Sequence, residues 1–149
     1  MAYARFHNRK GAIMVEFAVS FTLVVALLAA MFQIGYLFYV YNGLQSAVRN
    51  GARYASIADF DKDAGVNFEK DVKDVVVYGI TDPGASDKPL VPGLTTNNVF
   101  IDQSNKDATN TPITVSITIT NYVVPTVWST FSLDGKPRST FAYLGQTVE

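Results

Sequence analysis

The N-terminal part of the chain is one long apolar stretch. Residues from Ala12 to Tyr41 are nearly all apolar, and no charged side chain occurs between Phe17 and Val48. A bilayer core about 30 Å thick is crossed by roughly 20 helical residues, so the stretch predicts a membrane-spanning helix over residues 12–41. It is longer than the apolar core of about 7–15 residues in a removable secretory signal. The pattern therefore favours a retained span.

Helical periodicity continues beyond the span. Apolar residues recur at steps of three and four, which places them on one face of a helix. They are Leu44, Ala47, Val48, Ala52 and Ala55. The first proline is Pro83, so no proline interrupts the helix earlier. The pattern predicts a single helix from about Ile13 to Ala58, with residues 42–58 as its outer part.

The outer part of this helix carries small residues at every fourth position. They are Gly43, Ala47, Gly51 and Ala55. Such strips let another helix or sheet approach the backbone closely. The strip could face a neighbouring subunit or the protein's own domain, and different parts of it could do each. Packing on its own domain is the favoured interpretation.

Residues 59–149 predict a small domain of mixed composition. Apolar and charged residues alternate with helical spacing from Asn67 to Tyr78, which predicts a short amphipathic helix. Residues 81–98 include three of the six prolines, which is typical of a loop. The segment therefore separates the short helix from whatever follows it.

The final third of the chain has the period of two that is typical of strands. A short strand is predicted at residues 98–102, and β-branched residues predict a half-buried strand from Pro112 to Tyr122. Pro125 ends that strand, and residues 134–137 predict a turn. A last strand is predicted at residues 138–145.

These elements predict an α+β fold. The last strand can turn either Phe141 and Tyr143 or Ala142 and Leu144 inward. Two or three strands alone are marginally stable, so we expect the sheet to pack on the outer part of the long helix. The expected architecture is a long N-terminal transmembrane helix that extends into a small extracytoplasmic domain with a short helix and a small antiparallel sheet.

Charge orients the span. Arg5, Arg9 and Lys10 precede the apolar stretch, and none of the first fifteen residues is acidic. Basic residues are enriched on the cytoplasmic side of membrane spans. We therefore expect one span, with the N-terminus in the cytoplasm and the C-terminal domain on the other side.

Composition argues against catalysis and nucleic-acid binding. The chain has no cysteine, and its single histidine is His7, close to the N-terminus. Alternate aspartates from Asp59 resemble the start of a calcium loop, but Lys70 stands where the bidentate acid would be. A formal net charge of −1 offers no excess of basic charge for nucleic acid. We expect no catalytic residue, metal or cofactor.

Glu16 is the charged residue inside the apolar stretch. A carboxylate at the centre of a bilayer costs about 2.5–3.5 kcal/mol on insertion scales, so its presence calls for a partner or a function. Gly11 lies five positions before it, and Ala12 one helical turn before it. The alternative is a carboxylate that reaches the nearby membrane interface.

Two segments resemble a known family. Gly11, followed by an apolar helix with glutamate at the fifth position, resembles the processing site of type IV-like prepilins. The segments Val15–Ala18, which contains Phe17, and Ala47–Ala55 are similar to those of TadE-type pseudopilins of tight-adherence (Tad/Flp) pilus systems.

The resemblance implies roles for particular residues. A prepilin peptidase would cut between Gly11 and Ala12, which makes residues 1–11 a leader. The new amine of Ala12 would pair with Glu16, within a subunit or between subunits, and so help to set the assembly register. Phe17 and the downstream residues belong to the family motif. These downstream residues are Arg49, Gly51, Ala52 and Arg53. The two arginines could bind a neighbour's acids or hold the folded domain, and the second is favoured.

The resemblance also implies a type IV pilin-like fold and a minor subunit, since major Flp pilins are little more than the helix. We expect a minor pilin used in assembly of a Tad/Flp-type pilus for adhesion and surface attachment. Its expected partners are the prepilin peptidase, other pilin or pseudopilin subunits, the inner-membrane assembly platform and membrane lipid. Its expected location is the bacterial inner membrane, with a periplasmic C-terminus, and then the extracellular pilus. Two alternatives are an uncleaved, signal-anchored periplasmic binding or scaffolding protein and a major pilin with a large head domain.

Overall fold

The computed structural model describes most of the chain. The described residues are 9–60, 65–103, 106–107, 111–124, 126 and 130–145. They fall into two compact units, of which one ends at Tyr36 and the other begins at Leu37. The expectations for residues 1–8 of the leader, for positions 61–64 of the acidic turn and for Pro125 lie outside the described residues.

The first helix, α1, runs from Arg9 to Ile57. The prediction of one long helix is confirmed, and the helix begins four residues before the expected Ile13. Arg9 and Lys10 are good helix formers, and an isolated glycine such as Gly11 weakens a helix without ending it.

The part of α1 that belongs to the first unit is apolar and exposed. Met14, Leu27 and Phe32 have 75%, 64% and 78% of their surface accessible. Among the described residues, the segment Gly11–Ile57 is long and apolar enough to cross a membrane, with a mean hydropathy of 2.4 over an 18-residue window. Water opposes the exposure of so much apolar surface, so this segment indicates membrane anchoring.

In the second unit, one face of α1 is the centre of the hydrophobic core. Its buried residues are Val40, Leu44, Ala47, Val48, Ala52 and Ala55. A Cβ atom at Gly51 would collide with Cγ2 of Val76 and lie 3.3 Å from Cδ1 of Ile117. A Cβ atom at Gly43 would lie 3.2 Å from Cγ2 of Val91. The strip of small residues therefore packs on the protein's own domain, as the sequence favoured.

The second helix, α2, runs from Gly65 to Tyr78 and confirms the predicted amphipathic helix. It buries Phe68, Val72 and Val76 against the core. The helix is followed by Gly79, whose φ of +82° is a left-handed conformation that glycine adopts at little cost. The chain then passes through a loop and a short 3₁₀ helix, Thr96–Asn98.

The described residues that follow form five strands in two antiparallel sheets. They are β1 Val99–Asp102, β2 Thr114–Ile119, β3 Tyr122–Val124, β4 Phe131–Leu133 and β5 Arg138–Ala142. The larger sheet has the order β1-β2-β5, and β3 pairs with β4 in a separate sheet. The α+β prediction is confirmed.

The single strand expected from Pro112 to Tyr122 is wrong at its C-terminal end. Asn121 has a φ of 51°, which breaks the extended backbone, so Tyr122 begins a new strand. The break shifts the phase of the alternation by one residue: the buried apolar residues are Val115, Ile117 and Ile119 before it, and Tyr122 and Val124 after it.

Strand β2 is also more buried than expected, because both of its faces are covered. Val115, Ile117 and Ile119 face the core, while Ser116 is only 5% exposed on the other face. The hydroxyls of Ser116 and Thr140 are 2.6 Å apart, and Nη2 of Arg138 donates to Oγ of Ser116 at 3.1 Å. These contacts between neighbouring strands shield the polar face. In the β2–β5 register, Phe141 lies opposite the inward-facing Val115, so it is on the core side of the sheet, where it remains 40% exposed while Tyr143 packs against the core.

The C-terminal end of α1 is capped by residues that follow β5. The hydroxyl of Tyr143 donates to the carbonyl of Ala58 at 2.8 Å and accepts from the amide of Phe60 at 2.9 Å. The amide of Leu144 donates to the carbonyl of Ser56 at 2.8 Å. The last carbonyls of a helix have no partner within the helix, so these bonds satisfy groups that would otherwise need water.

The environment of Tyr143 changes its acidity. Burial raises the pKa of Tyr143 above its ordinary value of 10.0, the hydrogen bond from the Phe60 amide lowers it, and the charge of Asp59 raises it further. The neutral phenol is therefore the form that the folded domain favours.

Replacing Gly51 by alanine tests the close approach of α1 to the domain. Alanine favours a helix over glycine by about 1 kcal/mol, but the added methyl overpacks the contact with Val76. We expect Gly51→Ala to lower stability by about 1–2 kcal/mol, measured by thermal unfolding of the full chain in detergent with near-UV circular dichroism. The exposed neighbour change Asn50→Ala is the matched control and should not destabilise. A Gly51→Ala protein as stable as the wild type would contradict the packing.

Replacing Tyr143 by phenylalanine tests the cap on α1. The change leaves the carbonyl of Ala58 without its partner, so we expect a loss of about 1–2 kcal/mol in the same unfolding experiment. Tyr39→Phe, at a tyrosine that is 70% exposed, is the control.

Tyr143→Phe and Tyr39→Phe should also differ in how strongly their stability depends on pH. Above about pH 10 the unfolded chain loses the phenol proton while the folded chain retains it, so wild-type stability should fall as pH rises. Tyr143→Phe should show a smaller fall than either the wild type or Tyr39→Phe. Equal pH slopes in all three proteins would exclude a role for the Tyr143 hydroxyl.

Candidate assembly site

The predicted processing site lies at the beginning of α1. Gly11, Ala12, Glu16 and Phe17 are all helical and exposed. Apart from its chain neighbours and the backbone of its own helix, a Cβ atom at Gly11 would meet no atom within 4 Å, so this face of α1 is open to another molecule. Glycine is a weak helix former, so local unwinding at this bond costs less than at other residues.

Glu16 stands on an exposed apolar surface of α1. It makes no ion pair with any described residue. Its exposed neighbours Ile13 and Phe17 have 63% and 69% of their surface accessible. Residues four apart on a helix are surface neighbours, with Cβ atoms about 5–6 Å apart, so an amine at Ala12 would be within reach of Glu16. A second chain could equally supply the partner.

Other side chains in the same stretch show how Glu16 differs from its surroundings. The hydroxyl of Thr22 donates to the carbonyl of Ala18 at 2.8 Å, so its polarity is satisfied by its own helix. The rings of Phe17 and Phe21 stack with centroids 5.9 Å apart. An ionised carboxylate only accepts hydrogen bonds, and the N–H donors inside a helix are already bonded to carbonyls, so the helix offers Glu16 no comparable partner.

The second motif divides into buried and exposed residues. Gly51 and Ala52 are buried in the core of the second unit. Arg49 and Arg53 are exposed and one helical turn apart, and neither makes an ion pair with a described residue. The two small residues therefore hold the domain by packing, and the two arginines present positive charge to solvent.

The predicted site residues thus belong to two separate groups. Those from Gly11 to Phe17 lie in the unit that ends at Tyr36, and those from Arg49 to Arg53 lie in the unit that begins at Leu37. Within the second group, the residues that the packing brings to Gly51 are Val76 and Ile117. Sequence periodicity placed both on apolar faces, but it gave no signal that they meet at this glycine.

One groove at the end of α1 is lined by residues that include Tyr54, Asp59 and Asp71. Burial raises the pKa of Tyr54, and the charge of Asp71 raises it further, which disfavours a phenolate there. Among the described residues there is no cluster of three or more His, Cys, Asp or Glu side chains that could hold a metal ion.

A family model for "TadE-like protein" matches residues 11–53. The match begins at Gly11, includes Glu16 and Phe17, and ends at Arg53, so it contains the first motif and the second one as far as Arg53. No curated protein and no solved structure matched the chain. Residues 54–149 lie outside the family match. Residues 11–53 are therefore a TadE-like region, consistent with a pilin-type protein of Tad systems.

Proposed function

We propose that this protein is a minor pilin, or pseudopilin, that is processed after Gly11 and used in the assembly of a Tad/Flp-type pilus, which serves adhesion and surface attachment. The observation that carries the proposal is the TadE-like match over residues 11–53, which begins at the proposed cleavage site. The isolated carboxylate of Glu16, on an exposed apolar helix, supports it.

The first step is membrane insertion. The apolar part of α1 anchors the chain as a single-pass protein of the bacterial inner membrane. Arg5, Arg9 and Lys10 keep the N-terminus in the cytoplasm, and the domain that begins at Leu37 enters the periplasm. Membrane lipid is then the first partner of α1.

The second step is cleavage. The prepilin peptidase hydrolyses the bond between Gly11 and Ala12, so this protein is a substrate of an enzyme and has no catalytic role itself. The reaction removes the leader, residues 1–11, and leaves a positively charged amine on Ala12. This amine lies one helical turn from Glu16.

The third step is assembly with other pilin or pseudopilin subunits at the inner-membrane platform. A carboxylate in the bilayer is costly, most of all at its centre and less toward the interface near which Glu16 lies, and a charge buried in a packed filament without a partner is penalised. Pairing with an Ala12 amine, in the same chain or in its neighbour, removes that penalty. A pair between the Ala12 amine of one chain and Glu16 of its neighbour forms at one axial offset between the two helices. This offset sets the register of the filament.

The size of the second unit favours a minor subunit. Its core uses residues from α1, α2 and the larger sheet, so it is a folded domain and not an extension of the helix. A major subunit of this kind would place such a domain at every position of the filament. Abundance in sheared filaments separates the two: a minor pilin should be a small fraction of the protein.

The N-terminus of the cell-derived protein tests the processing step. We expect mass spectrometry to find a chain that begins at Ala12 when the prepilin peptidase is active, and a chain that retains Gly11 when it is inactive. The variant Gly11→Leu should remain uncut, whereas Gly35→Ala, at a glycine within the span, should be cut normally. An intact bond after Gly11 in the presence of active peptidase would instead indicate a permanently anchored periplasmic protein.

Substitution of Glu16 tests the assembly step separately. We expect Glu16→Ala and the isosteric Glu16→Gln to insert and to be cut, but to reduce sheared filaments by about tenfold or more, since losing an interaction of at least about 1.4 kcal/mol changes an equilibrium tenfold. Thr22→Val is the control, because the Thr22 hydroxyl is satisfied within its own helix. Normal piliation with Glu16→Ala would remove Glu16 from the mechanism.

A further inference from the structure

One end of the second unit contains the last residues of the apolar stretch Ala12–Tyr41, around Tyr39. A groove of about 240 Å³ there is lined by α1 and by a loop that precedes the 3₁₀ helix. The lining includes Tyr39, Val40 and Gly43 from α1 and Leu90, Val91 and Pro92 from the loop. Residues 87–92 are called the Leu90 loop here.

The Leu90 loop is held in place by the core. The amide of Leu90 donates to the carbonyl of Val77 at 2.8 Å, and the hydroxyl of Tyr122 donates to the carbonyl of Pro92 at 2.7 Å. Val91 is 2% exposed and lies against Gly43. Leu90 nevertheless has 52% of its surface exposed, so the fold itself presents this side chain outward.

A second exposed apolar residue lies close to Leu90. A Cβ atom on Gly79 would be 3.5 Å from Cδ1 of Leu90, and Ile80, the next residue along the chain, is 46% exposed. Tyr39, across the groove, is 70% exposed. The end of the second unit at Tyr39 therefore presents apolar side chains from three segments.

The position of this end along α1 corresponds to the bilayer surface. The thirty residues from Ala12 to Tyr41 are about 45 Å long at 1.5 Å per residue. A bilayer with its headgroups is about 40–45 Å thick. Tyr39 and Tyr41 then lie at headgroup depth, where tyrosine is enriched. Leu90 is at the same level, because it lines a groove with Tyr39.

We propose that the Leu90 loop, together with Ile80, inserts into the headgroup region of the outer leaflet, so that the domain docks on the lipid surface before assembly. The occupant is lipid, because Tyr39 on this surface belongs to the last residues of the apolar stretch Ala12–Tyr41 that anchors the chain. The nearby charges are Asp82, Asp87 and Lys88, with an excess of negative charge, so apolar contact and not attraction to anionic lipid supplies the affinity. The inference rests on the membrane insertion of α1 in the proposed function.

Spin labels measure this depth directly. The chain has no cysteine, so Leu90→Cys, Val24→Cys and Ile57→Cys each give a single labelling site. The full chain is reconstituted in phosphatidylcholine bilayers, labelled with a nitroxide, and its accessibility to oxygen and to a water-soluble nickel chelate is measured. Ile57 is the matched control, because it is an apolar residue, 63% exposed, about 25 Å farther along α1 than Val40.

The expected result is an oxygen-to-nickel accessibility ratio that is highest at Val24, intermediate at Leu90 and several-fold lower at Ile57. A label at Ile80→Cys should agree with Leu90, and adding Leu90→Ser to that variant should lower its ratio toward the Ile57 value. This second variant tests the contact without a label on Leu90 itself.

The outcomes separate this inference from the function on which it rests. A water-exposed Leu90 label with a lipid-exposed Val24 label would overturn docking and leave membrane anchoring intact. A Leu90 label shielded from both reagents would show that protein covers the loop, which also overturns lipid docking. A water-exposed Val24 label would overturn both the anchoring and the docking.

Discussion

The close packing at Gly51 is the contact on which the folded domain depends. Val76 of α2 and Ile117 of the central strand β2 both reach α1 at this glycine, so one position joins three elements of the core. Small sheets are marginally stable alone, and here they acquire stability by covering the apolar face of a helix. A larger residue at this position would separate the elements that the core has to bring together.

This packing gives the matched region, residues 11–53, a structural role in the folding of the residues that follow it. The matched region supplies the helix face that the remaining residues cover, including Ala47 and Ala52. The unmatched residues supply the covering layer and the cap at Tyr143. The region that resembles TadE-like proteins is therefore also the surface on which the rest of the domain folds.

Charged residues on α1 show the opposite behaviour to its small residues. Gly51 and Ala52 pack in the core of their own chain. Glu16, Arg49 and Arg53, in contrast, make no ion pair with the described residues. A carboxylate in an apolar stretch carries a large desolvation cost, while arginines exposed to water carry little. Glu16 is therefore the residue for which an external or newly formed partner matters most.

The sequence by itself determined the elements and the spacing of the proposed site. Periods of 3.6 and 2 depend only on neighbouring residues, so they predicted α1, α2 and three of the strands, and the Gly11–Glu16 spacing is read directly from the chain. The tertiary structure alone decided the break at Asn121, after which β3 begins and pairs with β4, and the burial of Ser116. It also decided that Gly51 is buried while Arg49 is exposed, and that Tyr143 caps the carbonyl of Ala58. These features depend on contacts between residues that are distant in the chain, such as the 85 positions between Ala58 and Tyr143. Local periodicity carries no information about which distant surfaces will meet.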